Sequence, residues 1–392
     1  MANALTESQG STPPEPPAAA AHISQDDLNP LLSGRLCQLH DQLLELVPCV
    51  DRIACVLYDD DTDLLKTFVN STRRGEAIKG YEFHLQESPS LSAIASSGTR
   101  RVIDDIQTAV QPTSPHSSWL LEQGYRSSLT VPLTDQDRFI GFVFYNSCQP
   151  AAFTPVVERN LALFTRLINM MISSELNSVR SILASVLVAR DFADLRDFET
   201  GAHLSRMAHY SRLIARDLAP LHGLDDEFIE HIYLFAPLHD IGKIGIPDRI
   251  LLKPGKLDPE ERRLMETHVD LGLSIIDKML GEFALQDLPD SHVLRAVTGS
   301  HHEMLDGSGY PRGLRGEQVP LAARIIAVAD VFDALTSQRP YKPAWSVAEA
   351  CAELDRLVAA GKLDGDCVAA IKRHTDELTS IGARHQEESP EG

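Results

Sequence analysis

The sequence predicts a multidomain protein in which an N-terminal α+β domain is followed by a long connecting helix and a C-terminal all-α domain. The chain has 392 residues, of which 43% are hydrophobic, so it can form more than one core. Strand-like and helical segments alternate before residue 150, whereas residues beyond 190 are almost entirely helical in pattern. Residues 157–192 contain neither Gly nor Pro, which favours one uninterrupted helix between the two regions.

Composition excludes several classes of partner. The net charge of −20 argues against binding nucleic acid polymers or anionic membrane surfaces, although a small anionic ligand remains compatible with it. The six cysteines show no C-x-x-C spacing, which is typical of reduced thiols. No apolar run reaches 18 residues and no signal peptide is apparent at the N-terminus, so we expect a cytoplasmic protein without a transmembrane helix.

Both ends of the chain are expected to be disordered tails, over residues 1–30 and 381–392, because their Pro-, Ser- and Glu-rich composition cannot bury a core. The α+β domain is expected over residues 31–155. Its clearest strand signals are three segments rich in β-branched and aromatic residues, at 52–58, 127–132 and 139–145. The all-α domain is expected over residues 193–380.

The connecting helix, residues 156–192, carries an apolar stripe. Its members follow a spacing of four and three residues, with one phase shift: Val157, Leu161, Phe164, Ile168, Met171, Leu176, Val179, Leu183 and Val186. Such spacing is typical of a coiled-coil seam and predicts a parallel homodimer through this signalling helix. The alternative is that the stripe packs only within its own chain.

The α+β segment resembles a GAF domain. The resemblance is carried by Ser90 to Thr99, by Val102-Ile103-Asp104-Asp105, by the Arg126–Leu133 segment and by Ile140-Gly141. It implies a small sensor domain that binds a ligand or dimerises. The Asn-Lys-Phe-Asp-Glu signature of cyclic-nucleotide GAF domains is absent, so the GAF ligand stays unknown at this stage.

Histidines and carboxylates recur in short motifs of the C-terminal region. His239 and Asp240 are adjacent, His301 and His302 form a doublet, and Asp330 follows. Imidazole and carboxylate groups suit Fe, Mn, Zn or Ni. A His-Asp pair in an apolar helical core would be costly without a partner, and a metal ion removes that cost. Each motif alone has an ordinary structural explanation, but their combination predicts metal-assisted hydrolysis.

A longer, ordered set of motifs between about 190 and 375 resembles the HD-GYP family of cyclic di-GMP phosphodiesterases, within the HD superfamily. The set comprises His239-Asp240-x-Gly242-Lys243, Ile246-Pro247-Asp248, His268, His301-His302-Glu303, Gly309-Tyr310-Pro311, Asp330-x-x-Asp333 and Arg339-Pro340-Tyr341-Lys342. One difference is the stretch from 282 to 291, which is longer than in compact members. It is expected to be a loop without effect on the site, and the alternative is that it alters substrate access.

The resemblance implies roles for individual residues. Metal ligands are expected at Glu199, His203, His239, Asp240, His268, His301, His302 and Asp330. Asp240 would bridge two metals and Glu199 would help to hold a third, with Fe or Mn as the expected metals. Asp240 and Lys243 are the expected catalytic residues. Substrate phosphates or a guanine would be contacted by Lys243, Arg339 and Lys342.

The expected reaction is hydrolysis of cyclic di-GMP to linear pGpG, with slower hydrolysis onward to GMP, under control of the GAF-like domain. The alternative is a receptor that binds cyclic di-GMP with little turnover. A hydrolase of mononucleotides would not explain the Gly-Tyr-Pro loop or the spacing of Arg339 and Lys342. Tyr310 of that loop is expected to pack or to dock a protein partner rather than to catalyse.

Overall fold

The structure is a computed structural model that describes residues 31–112, 115–192, 201–282, 290–338 and 344–386, with the side chains of 186–192 left out. Within these residues, no helix is both long enough and apolar enough to cross a membrane.

The N-terminal region is built on an antiparallel sheet of six strands in the order β3-β2-β1-β6-β5-β4. The strands are β1 (Arg52–Asp59), β2 (Leu64–Thr72), β3 (Glu82–His84), β4 (Arg101–Ile103), β5 (Ser127–Asp135) and β6 (Arg138–Ser147). Helix α1 (Leu32–Leu46) precedes the sheet, and three short helices connect β3 to β5, namely α2 (Pro89–Ser97), α3 (Ile106–Ala109) and α4 (Pro115–Glu122).

The two faces of this sheet are covered differently, because successive side chains of a strand point to opposite sides. Ile53 and Cys55 of β1 pack in a core with α1 and with the following long helix. Arg52 and Val56 of the same strand face the other side, where α2, α3 and α4 lie and where a cavity opens. Arg52 is paired in register with Asn146 of β6, which lines the same cavity.

The connecting segment is one continuous helix, α5 (Pro155–Phe192). Its apolar stripe packs within the chain. Leu161, Phe164 and Ile168 are buried against the sheet and α1, and Val179 lies in the core of the helical region. Packing within the chain, which was the alternative, therefore accounts for the stripe. The homodimer stays a prediction, and it would have to form through another face of the helix.

The C-terminal region is all-α. Its helices are α6 (Gly201–His222), α7 (Asp226–Phe235), α8 (Asp248–Leu251), α9 (Pro259–Glu266), α10 (His268–Glu282), α11 (Ser291–Ser300), α12 (Leu321–Thr336), α13 (Val347–Ala359), α14 (Gly365–Arg373) and α15 (Thr375–Arg384). Capping side chains mark several helix starts, such as Asp258 with Glu261 at α9 and Ser346 with Glu349 at α13. A single large apolar cluster joins α6, α7, α11, α12 and α14.

One edge of the sheet contacts the helical region. Glu82 of β3 accepts hydrogen bonds from Arg212 and Arg216 of α6. The Lys66 ammonium of β2 lies 4.3 Å from the centre of the Tyr233 ring of α7, at cation–π distance. The N-terminal region is thus attached to the helical region by charged and aromatic contacts as well as by α5.

The predicted architecture, an α+β region followed by a long helix and an all-α region, is confirmed. The C-terminal tail needs correction, because α15 extends to Arg384 and its Ile381 side chain is buried. The apolar side chains of Leu378 and Ile381 continue the helical pattern into the segment that was predicted to be a tail. The predicted tail over 1–30 lies outside the described residues.

Candidate metal centre

The adjacent His239 and Asp240 lie between two short 3₁₀ turns, Ala236–Leu238 and Ile241–Gly245, that follow α7. The second turn packs closely on α10. A Cβ atom at Gly242 would lie 1.8 Å from the carbonyl oxygen of His268, so only glycine permits this approach. The close packing brings the first residue of α10, His268, to the carboxylate of Asp240.

Backbone carbonyls orient three of the histidine rings. Nδ1 of His239 donates to the carbonyl of Ala236 (2.8 Å), Nδ1 of His268 to that of Met265 (2.8 Å), and Nδ1 of His301 to that of Val297 (3.0 Å). With the Nδ1–H committed to a carbonyl, the neutral ring carries its lone pair on Nε2. All three Nε2 atoms face Asp240. This is how histidines are commonly arranged around a metal.

The two carboxylate oxygens of Asp240 face different neighbours. Oδ1 lies 3.0 Å from Nε2 of His268 and 3.6 Å from Nε2 of His301. Oδ2 lies 3.1 Å from Nε2 of His239 and 2.7 Å from the Lys243 ammonium. One carboxylate thus separates two sets of nitrogen atoms, as a bridging carboxylate does.

Potential ligand atoms form two neighbouring groups. In each group the atoms lie within 4.8 Å of one another: Asp240, His268, His301 and His302 in the first, and His203, His239 and Asp330 in the second. Most of these side chains are buried. The structure therefore brings seven of the eight predicted ligands into two groups, which the contact between His239 and Asp240 connects.

The electrostatics of the site favour an anionic Asp240 and neutral rings at His301 and His302. Burial alone would raise the pKa of Asp240, but the Lys243 ammonium and the His239 ring outweigh burial and hold that pKa well below its usual range. Burial lowers the pKa of His301 and of His302, so both rings are neutral near pH 7. A neutral imidazole and an ionised carboxylate are the forms that bind a metal ion.

Three buried atoms of the site have no hydrogen-bond partner among the described residues, namely Oδ1 of Asp240 and Nε2 of His268 and His301. Buried polar atoms without partners are rare and costly. A divalent cation among them would satisfy all three, and their oxygen and nitrogen donors suit such an ion. The donor set therefore fits the divalent metals that the sequence predicted.

His203 is held by residues that the prediction left out. Its Nδ1 lies 2.7 Å from Oδ2 of Asp333, and Asp333 also accepts from Nε of Arg206 at 2.6 Å. His203 and Arg206 outweigh burial and lower the pKa of Asp333, so it is an anion that can hold the His203 ring. The spacing of Asp333, three residues after Asp330 and on the same side of α12, is the sequence signal that could have indicated this pairing.

The Gly-Tyr-Pro loop forms one wall of the site. The Tyr310 ring lies 4.7 Å from the His302 ring, centre to centre. The buried Glu303 carboxylate accepts from the backbone N–H of Arg312 and of Leu314, which shapes the loop. A Cβ atom at Gly309 would lie 2.3 Å from the backbone nitrogen of Met304, so this glycine is also required by space. Tyr310 thus packs on a candidate ligand.

Three predicted site residues lie outside the described residues: Glu199, Arg339 and Lys342. Most of the predicted long loop, residues 283–289, lies outside them as well. Their roles stay predictions. Lys243 is described, and the structure places its ammonium on Asp240.

Comparison with known proteins matches two parts of the chain to known domains. Residues 188–367 match the model of the HD domain, and residues 34–172 match that of the GAF domain. The chain is 42% identical over 227 residues to the cyclic di-GMP phosphodiesterase response regulator RpfG of Xanthomonas campestris pv. campestris, covering 58% of this chain and 56% of that protein. A cyclic di-GMP phosphodiesterase of Thermotoga maritima is 41% identical over 197 residues, covering 50% of each chain.

A third relative is named for a different cyclic dinucleotide. The 3'3'-cGAMP-specific phosphodiesterase 2 of Vibrio cholerae is 37% identical over 252 residues, covering 64% of this chain and 45% of that protein. The chain thus spans about half the length of the curated relatives it matches. It combines a GAF domain with an HD domain, as predicted.

Proposed function

We propose that this protein is a metal-dependent phosphodiesterase that hydrolyses cyclic di-GMP to linear pGpG, with slower hydrolysis onward to GMP. The observation that carries the proposal is the Asp240 carboxylate, whose two oxygens face two groups of histidine nitrogens. A phosphodiester needs positive charge on its non-bridging oxygens and an activated water on the opposite side from the leaving oxygen. The names of the relatives supply the substrate class, a cyclic dinucleotide.

The residues proposed to hold two metals are His203, His239, Asp240, His268, His301, His302 and Asp330, with Asp240 between them. Fe or Mn is the proposed metal, and Glu199 is the proposed ligand of a third ion. When bound, the metals would lower the pKa of a water molecule and offset the negative charge of the phosphate.

The remaining chemistry is assigned to side chains of the chain itself. The Lys243 ammonium is partly exposed and lies beside Asp240, so it can turn from the carboxylate to a substrate phosphate. Arg339 and Lys342 are proposed to contact the second phosphate and a guanine. Asp333, held by Arg206, keeps the His203 ring in place. Tyr310 confines the site from the loop side, and the loop is the proposed docking place for a protein partner.

Turnover with defined metals tests the proposal. The full chain, purified without air and supplied with Fe or Mn, is incubated with cyclic di-GMP or 3'3'-cGAMP, and the products are separated by chromatography. We expect pGpG to form first. Binding of cyclic di-GMP without turnover under these conditions would support the receptor instead, and preferential cleavage of 3'3'-cGAMP would reassign the substrate.

The GAF domain, proposed over residues 31–155, is proposed to regulate the HD domain, proposed over residues 193–384 with the C-terminal boundary corrected to the end of α15. Helix α5 gives a physical route, because it contributes side chains to both cores. The contacts of Glu82 with Arg212 and Arg216 provide a second connection. A rigid helix transmits a shift of one domain to the other with little loss.

A homodimer through α5 is also proposed, on a different face from the predicted seam. Val156, Leu163 and Met170 are more than 60% exposed, and Leu167 is 38% exposed. Leu163, Leu167 and Met170 are spaced by four and then three residues. That spacing suits a pairing of two copies of α5. Light scattering of Leu163→Glu should report a monomer if the stripe pairs, whereas Ala162→Glu, also exposed on α5 but about 100° away from Leu163 around the helix, should leave the mass unchanged.

A further inference from the structure

The GAF domain contains a cavity of about 210 Å³ on the sheet face opposite α5. Much of its wall is apolar, with Leu65, Phe83, Leu91, Ile106, Leu120 and Phe144 among its lining residues. The volume is below the range of about 300–1,000 Å³ that is usual for pockets of drug-sized ligands. An occupant must therefore be small, and most of its surface must be apolar.

Two arginines line this apolar cavity. Arg52 is 2% exposed, and Arg101 is partly buried. Nε of each guanidinium is buried without a hydrogen-bond partner among the described residues. Arginines inside an apolar pocket are unusual, because taking their charge out of water costs several kcal/mol unless an anion compensates it.

The contacts of Arg52 are with neutral groups. Nη1 of Arg52 donates to Oδ1 of Asn146 at 2.9 Å, and its guanidinium lies 4.7 Å from the centre of the Trp119 ring. Asn146 in turn donates to Ser128, which also lines the cavity. These contacts position the guanidinium but leave its charge uncompensated.

Arg101 is held in the same way. It donates to Oγ of Ser90 at 2.6 Å and to Oγ1 of Thr130 at 3.3 Å. Across the described part of the chain, no carboxylate lies within ion-pair distance of Arg101 or of Arg52. Two acids of this domain are paired with other arginines, Asp51 with Arg74 and Asp105 with Arg126.

His116 is a third basic side chain at this cavity, and its pKa is affected by the two arginines. His116 lines the same cavity and stacks between the rings of Tyr81 and Trp119, at 5.7 Å and 6.0 Å. Burial, followed by the charges of Arg52 and Arg101, lowers the pKa of His116 to about 4. Burial also lowers the pKa of Arg52 to about 10, which still leaves it charged at neutral pH.

We infer that this cavity binds a small organic acid, in which one carboxylate meets Arg52 and Arg101 and an apolar body fills the remaining space. The planar guanidinium matches a carboxylate, and an aromatic or branched aliphatic body matches the walls. A monoanion is favoured over a phosphate dianion, because the additional charge would have to be desolvated beside apolar side chains. Such an acid is the signal that the proposed sensor role requires.

Direct binding to the full chain tests this inference independently of phosphodiesterase turnover. Benzoate, phenylacetate, cyclohexanecarboxylate and hexanoate are compared by calorimetry with their uncharged amides and with phenyl phosphate. We expect at least one acid to bind, and to bind more than tenfold tighter than its amide and than phenyl phosphate. Absence of binding by every acid, equal binding of acid and amide, or tighter binding of phenyl phosphate would overturn the inference.

Two variants locate the site. Arg101→Gln should weaken binding of the acid at least tenfold while leaving the amide unchanged. Arg138→Gln serves as the matched control, because Arg138 is an exposed arginine of the same domain whose ion-pair partner is Asp60. Equal binding by the two variants would place the acid elsewhere and reject the cavity. If Arg101→Gln does not fold, the comparison of acid with amide on the unchanged chain decides the question.

Discussion

Two groups of buried histidines and carboxylates in this protein contain the same residue types but differ in how the ring nitrogens are used. The first surrounds Asp240, and the second places His231 with Glu175 and Glu227. Both bring potential ligand atoms within 4.8 Å of one another. Proximity alone would therefore assign a metal to each of them.

The ring nitrogens separate the two groups. In the first, Nε2 of His268 and of His301 has no hydrogen-bond partner among the described residues. In the second, both nitrogens of His231 are used, Nδ1 by Asp290 at 2.6 Å and Nε2 by Glu175 at 2.7 Å. Burial alone would lower the pKa of His231, but hydrogen bonds to Asp290 and Glu175 raise it to about 10.

A protonated imidazole has no lone pair to give to a metal. The second group is therefore an ion-pair cluster in which Glu175 of α5 is bound to His231 of α7. Its Glu227 carboxylate accepts from the backbone N–H of Leu32 and of Ser33, at the start of α1. The partners of the ring nitrogens, rather than the spacing of ligand atoms, therefore distinguish a metal centre from a structural connection between domains.

Asp240→Ala should have the largest effect. It removes the carboxylate that faces both histidine groups, and we expect turnover to fall by at least about 10³-fold, since one transition-state contact is already worth about 10²–10³-fold. Initial rates with cyclic di-GMP provide the measurement. Glu175→Gln, a buried carboxylate of the second group, is the matched control and should retain activity in the folded protein. Full activity in Asp240→Ala would mean that the two groups have been assigned the wrong way round.

His231→Gln should reduce stability instead. The variant leaves Glu175 and Asp290 buried without their cation, and breaking such a pair typically costs about 3–5 kcal/mol. Urea unfolding measures the loss, with the exposed His222→Gln as the control. The metal content of the folded fraction should not change. A loss of metal at unchanged stability would show that the second group is a metal site.

Asp333→Asn should have an intermediate effect. It removes the charge that holds His203, and residues that position a ligand in this way are typically worth about 10–100-fold in metal affinity or activity. Titration of the metal-free protein with Mn²⁺ measures the change. Asp355→Asn, at an exposed pair with Lys372, is the control. Equal affinity in the two variants would leave Asp333 with a purely structural role.

The pH dependence of stability should report on the same His231 cluster. The pKa of His231 is about 10 in the folded protein, above its ordinary value of about 6.5. Its contribution is therefore fully present below about pH 6.5 and is lost as pH rises through about 10. The difference in unfolding free energy between the unchanged protein and His231→Gln should shrink across that interval. A difference that grows with pH would contradict a protonated His231.

The sequence predicted that α5 is continuous but not how its apolar stripe packs. Absence of Gly and Pro over 157–192 predicted a single helix, because local propensity decides helix continuity. The apolar stripe of the helix could not reveal whether Leu161 and Ile168 pack within the chain or against a second copy, because both arrangements bury the same side chains.

The candidate site was largely predictable because its ligands belong to short motifs with an ordered spacing. Asp333 was not assigned a role, because its spacing from Asp330 places it on the same side of α12 but does not by itself identify His203, 130 positions away, as its partner. The sequence also did not indicate that Arg52 and Arg101 line a cavity. Their burial depends on the alternation of β1 and on the helices that cover the sheet, which only the assembled domain defines.

The central claim is that the group around Asp240 holds metal and the group around His231 does not. The most direct test is elemental analysis of the full chain purified without air, together with Glu175→Gln and Asp240→Ala. The account predicts two or three ions of Fe or Mn per chain in the unchanged protein, the same number in Glu175→Gln, and fewer in Asp240→Ala. Metal-free unchanged protein, or loss of metal in Glu175→Gln rather than in Asp240→Ala, would contradict it.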